Sequence, residues 1–89
     1  MARFEIGSAE YAFIGSQAMT GDVLFQLGID HSVGRRGPAD MVTAHMWFNL
    51  AAQQGNSDAI RLRREISQEM SATDIAEAQR RAREWLMRH

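Results

Sequence analysis

The stretch AHMWFNLAAQQGN, residues 44–56, decides the fold. Taken back to Met41, its apolar residues Met41, Ala44, Phe48 and Ala51 recur at steps of three and four, the period of one helix face. Trp47 and Ala52 widen that stripe to the breadth a core-facing helix needs. Gly55 then supplies a left-handed stop, and Asn56 or Ser57 can open another helix. The stretch describes a packing unit rather than a reaction.

Upstream, Leu24, Leu27, Gly28 and His31 share one face of a helix that begins near Gly21, with Thr20 as its cap and Asp22 in its first turn. A glycine inside a helix costs about 1 kcal/mol relative to alanine, so Gly28 implies close approach of a neighbouring helix. Gly34, Gly37 and Pro38 end this helix, and the next starts near Ala39 or Asp40. Downstream, Ala59, Leu62, Ile66 and Met70 mark a third helix, and Ile75, Ala78, Ala82 and Trp85 a fourth. Ser71 reads as the cap of the fourth helix, in a box with Asp74, and Met70 and Ile75 are placed to form a hydrophobic staple. Glu77–Arg81 and Arg80–Glu84 are solvent-side pairs. Residues 1–15 are broken by Gly7 and Gly15 and support at most a helical turn near Ala9–Phe13. The expected fold class is all-α: a short antiparallel helical array of about four helices, because connections this short join antiparallel neighbours.

Composition narrows the function classes. With 89 residues, 45% hydrophobic and one proline, the chain is one small globular domain whose core is thin. Zero cysteines exclude disulfides and thiolate metal sites. All ten basic residues are arginine and the net charge is −1. Residues 1–59 carry three Arg against six acids, residues 60–89 seven Arg against five acids. This is too slight an imbalance for a phosphate-binding face. No apolar run approaches the ~20 residues of a membrane span, and the N-terminus lacks the apolar stretch of a signal peptide. A cytoplasmic protein is expected.

From Leu27 to Ala59 the chain resembles one repeat of the Sel-one-like (SLR) branch of the tetratricopeptide superfamily. Leu27-Gly28 fits the leucine-glycine pair of helix A; Gly34 and Arg35 fit its loop; Pro38 and Asp40 fit the entry to helix B. Ala44, Trp47, Phe48, Ala51, Ala52, Gly55, Asn56 and Ala59 match the second helix and the start of the next repeat. The departures lie on the helix A side: Asp30 and His31 replace an apolar residue and a tyrosine, and Arg36-Gly37 replaces a glycine-valine pair. RLRREISQEMSATDIAEAQRRAREWL, residues 61–86, resembles the terminal helix pair that follows the last repeat in many alphaproteobacterial members. The resemblance implies a helical-repeat domain with an N-terminal segment (1–20), repeat helices A and B (21–55) and a C-terminal pair (56–89). One repeat with its cap is short for a solenoid, so residues 1–20, or another chain, are expected to cover its open end.

Residues that suggest chemistry also have plainer readings. His31 and His45 lie on different helices with no fixed third ligand, which disfavours zinc, and His45 also recurs in the family stretch, where it packs or hydrogen-bonds. Trp47 and Phe48 belong to the core stripe; Trp85 closes the core or anchors a partner. Arg35 and Arg36, flanked by glycines, form a solvated turn or bind an anionic group beside a helix start. The arginines at 61, 63, 64, 80, 81, 83 and 88 spread over several faces. No phosphate loop or nucleophile motif is present.

These features point to a non-enzymatic protein–protein interaction module, an adaptor or accessory subunit, with neither cofactor nor metal. Scaffolding in bacterial signalling or complex assembly is what the resemblance implies. The expected partner is a protein, either a subunit of a complex or a second copy of this chain. The expected contact residues are Phe25, Gln26, Asp30, His31, Arg35 and Arg36. The rival expectation is a nucleic-acid-binding regulator in which two of the helices act as a helix-turn-helix.

Overall fold

The computed structural model describes residues 19–88. The expected turn near Ala9–Phe13 and the covering role of the N-terminal segment lie outside the described residues, apart from Met19 and Thr20. Four helices follow in order: α1 (Gly21–Ser32), α2 (Met41–Gln53), α3 (Ser57–Ser67) and α4 (Ala72–Arg88). The described residues form an all-helical array with no strand among them.

Each helix begins on a short polar side chain that accepts a hydrogen bond from an otherwise unpaired backbone N–H of the first turn. Thr20 Oγ1 accepts from Val23 at 3.3 Å, Asp40 Oδ1 from Thr43 at 3.1 Å, Asn56 Oδ1 from Ala59 at 2.9 Å and Ser71 Oγ from Asp74 at 3.0 Å. The expected capping box at Ser71 forms only in this forward half. The end of α2 follows the Schellman pattern: Gly55 has φ +94°, its N–H donates to Ala52 O at 3.0 Å, and Asn56 N–H donates to Ala51 O at 3.1 Å. Gly34, with φ +78°, plays the same part after α1 and lets Arg35 N–H donate to Asp30 O at 2.8 Å.

Helices α1 and α2 form an antiparallel hairpin, because both pairs of ends meet. At one end Asp40 N–H donates to His31 O at 2.9 Å. At the other Gly21 abuts the end of α2, so that a Cβ there would lie 3.3 Å from Asn56 Cβ and 3.4 Å from Ala51 O. Asn56 ties this joint twice, capping α3 with its oxygen and donating Nδ2 to Asp22 Oδ1 of α1 at 3.1 Å. Between the ends, Gly28 lies against the ring of Phe48: a Cβ on residue 28 would meet Phe48 Cε1 at 2.4 Å and Cδ1 at 2.5 Å. Phe48 is 1% exposed and also packs its ring on Phe25, with centroids 5.7 Å apart and planes tilted by 46°. The close approach expected of Gly28 is thus made by an aromatic ring.

Helix α2 is the hub. Each of α1, α3 and α4 packs principally against it. The expected stripe supplies buried Ala44, Phe48 and Ala51, but Leu50 and His45 are buried as well. At about 100° per residue Leu50 falls well off that stripe, so α2 is enclosed around more than one face. The outer helices offer small buried residues at these contacts, Ala59 from α3 and Ala78 and Ala82 from α4, which lets the backbones come close. Half-buried Leu62, Ile66 and Trp85 flank the core, and Trp85 meets Trp47 edge to face with centroids 5.9 Å apart. Trp85 thus packs against the core.

Gly28→Ala is expected to destabilise the fold by about 1–2 kcal/mol, because forcing a methyl into a filled core outweighs the roughly 1 kcal/mol gained in helix propensity. Thermal melts should show a fall of roughly 5–15 °C, and the loss should shrink when Phe48→Leu is introduced alongside. A Gly28→Ala chain as stable as the parent would show that the ring can move aside.

Candidate functional site

Of the six residues expected to contact a partner, Gln26, Asp30, Arg35 and Arg36 form one network at the corner between α1 and α2. Asp30, on the last turn of α1, is 7% exposed. Its carboxylate accepts from Gln26 Nε2 at 3.0 Å, Arg35 Nη1 at 2.8 Å and Arg36 Nε at 3.2 Å. The chain can turn back on itself this tightly because Gly34 and Gly37 both adopt positive φ, +78° and +131°. Arg35 and Arg36, with side chains 61% and 54% exposed, are held by the carboxylate between them. These bonds hold the Asp30 carboxyl below its ordinary pKa; Gln26 contributes most, burial opposes it, and Arg36 and Arg35 add to it.

The other two expected contact residues do different work. Phe25 is half-buried on Phe48. His31 is half-buried, and its carbonyl accepts the Asp40 N–H that joins the two helices. Asp40, expected at the entry to helix B, caps α2 and also accepts from Thr43 Oγ1 at 2.7 Å.

His45 lies on the α3 side of α2 and is 2% exposed. Its Nε2 lies 2.9 Å from Ser67 Oγ, and Ser67 Oγ lies 2.7 Å from Arg63 O. A carbonyl only accepts, so the single serine proton goes to Arg63 O, and His45 Nε2–H donates to the serine oxygen. Neutral His45 therefore carries its lone pair on Nδ1, which is buried without a hydrogen-bond partner. Arg63 reaches α2 from the same side, donating Nη1 to Asn49 Oδ1 at 2.6 Å. Burial, and secondarily the Arg63 charge, lower the pKa of His45. The serine proton is committed to a backbone carbonyl, so His45 and Ser67 are a packing bond and not a nucleophile–base pair. Sequence reasoning gave His45 a packing or hydrogen-bonding role, but nothing in the sequence singled out Ser67 as its partner.

Elsewhere several charged residues pair with one another. Arg61 pairs with Asp58 and Glu65, Arg80 with Glu77 and Glu84, and Arg81 with Glu77 at 2.8 Å. These pairs include both expected along α4. Among the described residues no group of three or more His, Asp or Glu side chains is placed to hold a metal ion. No helix among them is long and apolar enough to cross a membrane. No protein-family model, curated protein or solved structure matches this chain.

The two kinds of titrating group separate by pH. A histidine whose folded pKa is lowered stabilises the fold fully above the unfolded value of about 6.5. That contribution is lost as pH falls below it, because the unfolded chain then takes a proton the folded one refuses. The lowered carboxyls of Asp30, Asp40 and Glu77 act only below about 4. Thermal midpoints should therefore fall between about pH 7 and pH 5, and His45→Gln should flatten that interval while leaving the steeper loss in stronger acid. An unchanged slope in His45→Gln would assign the interval to other groups.

Proposed function

We propose that this chain is a non-enzymatic interaction module: a small helical-repeat adaptor or accessory subunit that holds another protein within a larger bacterial, cytoplasmic complex. The observation that carries this reading is the α1–α2 hairpin. The helical positions that resemble the Sel-one-like repeat are largely interior, with Gly28 against Phe48 and Ala44, Ala51 and Ala59 buried, whereas Gly34, Arg35, Pro38 and Asp40, which also match, lie in and beside the turn. The positions that depart from the repeat, Asp30, His31 and Arg36, gather at the corner where α1 turns into α2. A repeat whose interior follows the pattern while its departures gather at one corner is suited to presenting that corner. Of the buried polar residues, Asp30 clamps a turn and His45 bonds Ser67 through Nε2, while the exposed Asp40 caps a helix. This fits a scaffold better than a catalyst.

Affinity purification of the tagged full chain at native abundance should recover a protein in stoichiometric amount, with chemical crosslinks concentrated on α1 and the turn at residues 33–40. Light scattering over a range of concentrations separates a second copy of this chain from a foreign partner. A stable monomer that recovers nothing in stoichiometric amount would overturn the reading.

A further inference from the structure

We infer that Arg35 and Arg36 form a preset fork of two guanidinium groups that takes a carboxylate-rich segment of the partner protein, side chains of Asp and Glu rather than phosphate. The inference rests on the adaptor reading and gives its contact surface a chemistry.

Three observations carry it. First, one carboxylate faces two cations, so the Asp30–Arg35–Arg36 group is left with one net positive charge at an exposed corner. Asp40, the nearest acid in sequence, keeps its own negative charge at the same end of the hairpin, but its carboxylate is turned to the backbone and hydroxyl of Thr43 and pairs with neither guanidinium. Second, of the five N–H donors on each guanidinium, Arg35 gives Asp30 one from Nη1 and Arg36 gives it its Nε–H. Both amino ends of Arg36 and the Nη2 and Nε of Arg35 stay free for further acceptors among the described residues. A fork of this kind pairs bidentately with carboxylates. Third, the clamp is itself held. Asp30 is nearly buried and anchored by Gln26, and the turn beneath is set by two glycines in positive-φ conformations. Long arginine side chains usually lose rotamer freedom on binding; here much of that loss is already taken in folding, which favours affinity. Val33 beside the fork is 60% exposed and gives an acidic segment an apolar neighbour to rest on. A carboxylate partner is favoured over nucleic acid because residues 1–59 otherwise carry an excess of acids, which repels a long polyanion but tolerates a short segment seated on the corner.

The test is fluorescence anisotropy of a labelled oligoglutamate peptide with the full chain at low and at physiological salt. Binding should weaken about tenfold or more in the double variant Arg35→Gln/Arg36→Gln, and not in Arg61→Gln, whose guanidinium is equally exposed on α3. Asp30→Asn separates a preset fork from simple charge: it raises the net charge, so attraction by charge alone would tighten binding, whereas loss of the clamp should weaken it. Circular dichroism melts confirm that each variant is folded at the assay temperature. Equal binding by the parent and the double variant, or tighter binding by Asp30→Asn, would overturn the inference. So would preference for a phosphoserine peptide or a single-stranded oligonucleotide of matched charge, which would reassign the fork to phosphate. If the double variant still recovers the parent's partner, the fork fails and the adaptor reading stands. If the parent recovers none, the adaptor reading fails whatever the peptide does.

Discussion

The contact of the Phe48 ring with the backbone of Gly28 is the constraint on which the rest of the structure depends. A planar ring reaches the α1 backbone only where no side chain intervenes, and a Cβ at residue 28 would lie 2.4 Å from it. Once the ring is seated there, the spacing of α1 and α2 is set along their length. Phe25 then has a surface to pack on, and the hairpin closes at both ends through Asp40 with His31 and Gly21 with Asn56. In a domain with so thin a core, one aromatic residue supplies a large part of the apolar burial that offsets chain entropy.

The remaining helices extend from that hairpin. Asn56 passes the geometry on, since one side chain caps α3 and reaches back to Asp22 on α1. Helices α3 and α4 then settle on other faces of α2 through alanines. This arrangement makes α2 the least adaptable element. Variation is easier at the edges, above all at the α1–α2 corner, where glycine geometry and a buried carboxylate hold two exposed arginines. Stability and recognition are thereby divided: the seam is apolar and closely packed, and the corner is charged and hydrated. Substitutions in one are expected to leave the other largely unaltered.

Much of the helix pattern was legible from local rules. Thr20, Asp40, Asn56 and Ser71 cap helices, and Gly55 ends one, because these depend on side-chain reach and φ within a few residues. The i,i+4 pairs on α4 are local in the same sense. The corner was legible only in part. Arg35 and Arg36 stood out as a glycine-flanked pair, and Asp30 as an unusual residue on its helix. That the acid turns inward to clamp both arginines depends on the path of the turn, which Gly34 and Gly37 together determine. An acid at the end of a helix followed by Gly-Arg-Arg-Gly is the signal that could have suggested it.

By itself the sequence determined that the described residues would be helical, where each helix would begin, how the first two would stop, and that Gly28 must face something close. These are consequences of periodicity and capping, which act over a turn or two. Met70, expected on the third helix, lies beyond its end at Ser67. Only the tertiary structure decided that Phe48 is what Gly28 meets, that Leu50 is enclosed although it lies off the apolar stripe, that the polar His45 at the stripe's border is buried, and that Ser67, Asn49 and Asp22 find partners far along the chain. The physical reason is that packing depends on which faces meet when several helices compete for one surface. That outcome is set by the shape of α2 and the span of the connections, and no local pattern encodes it.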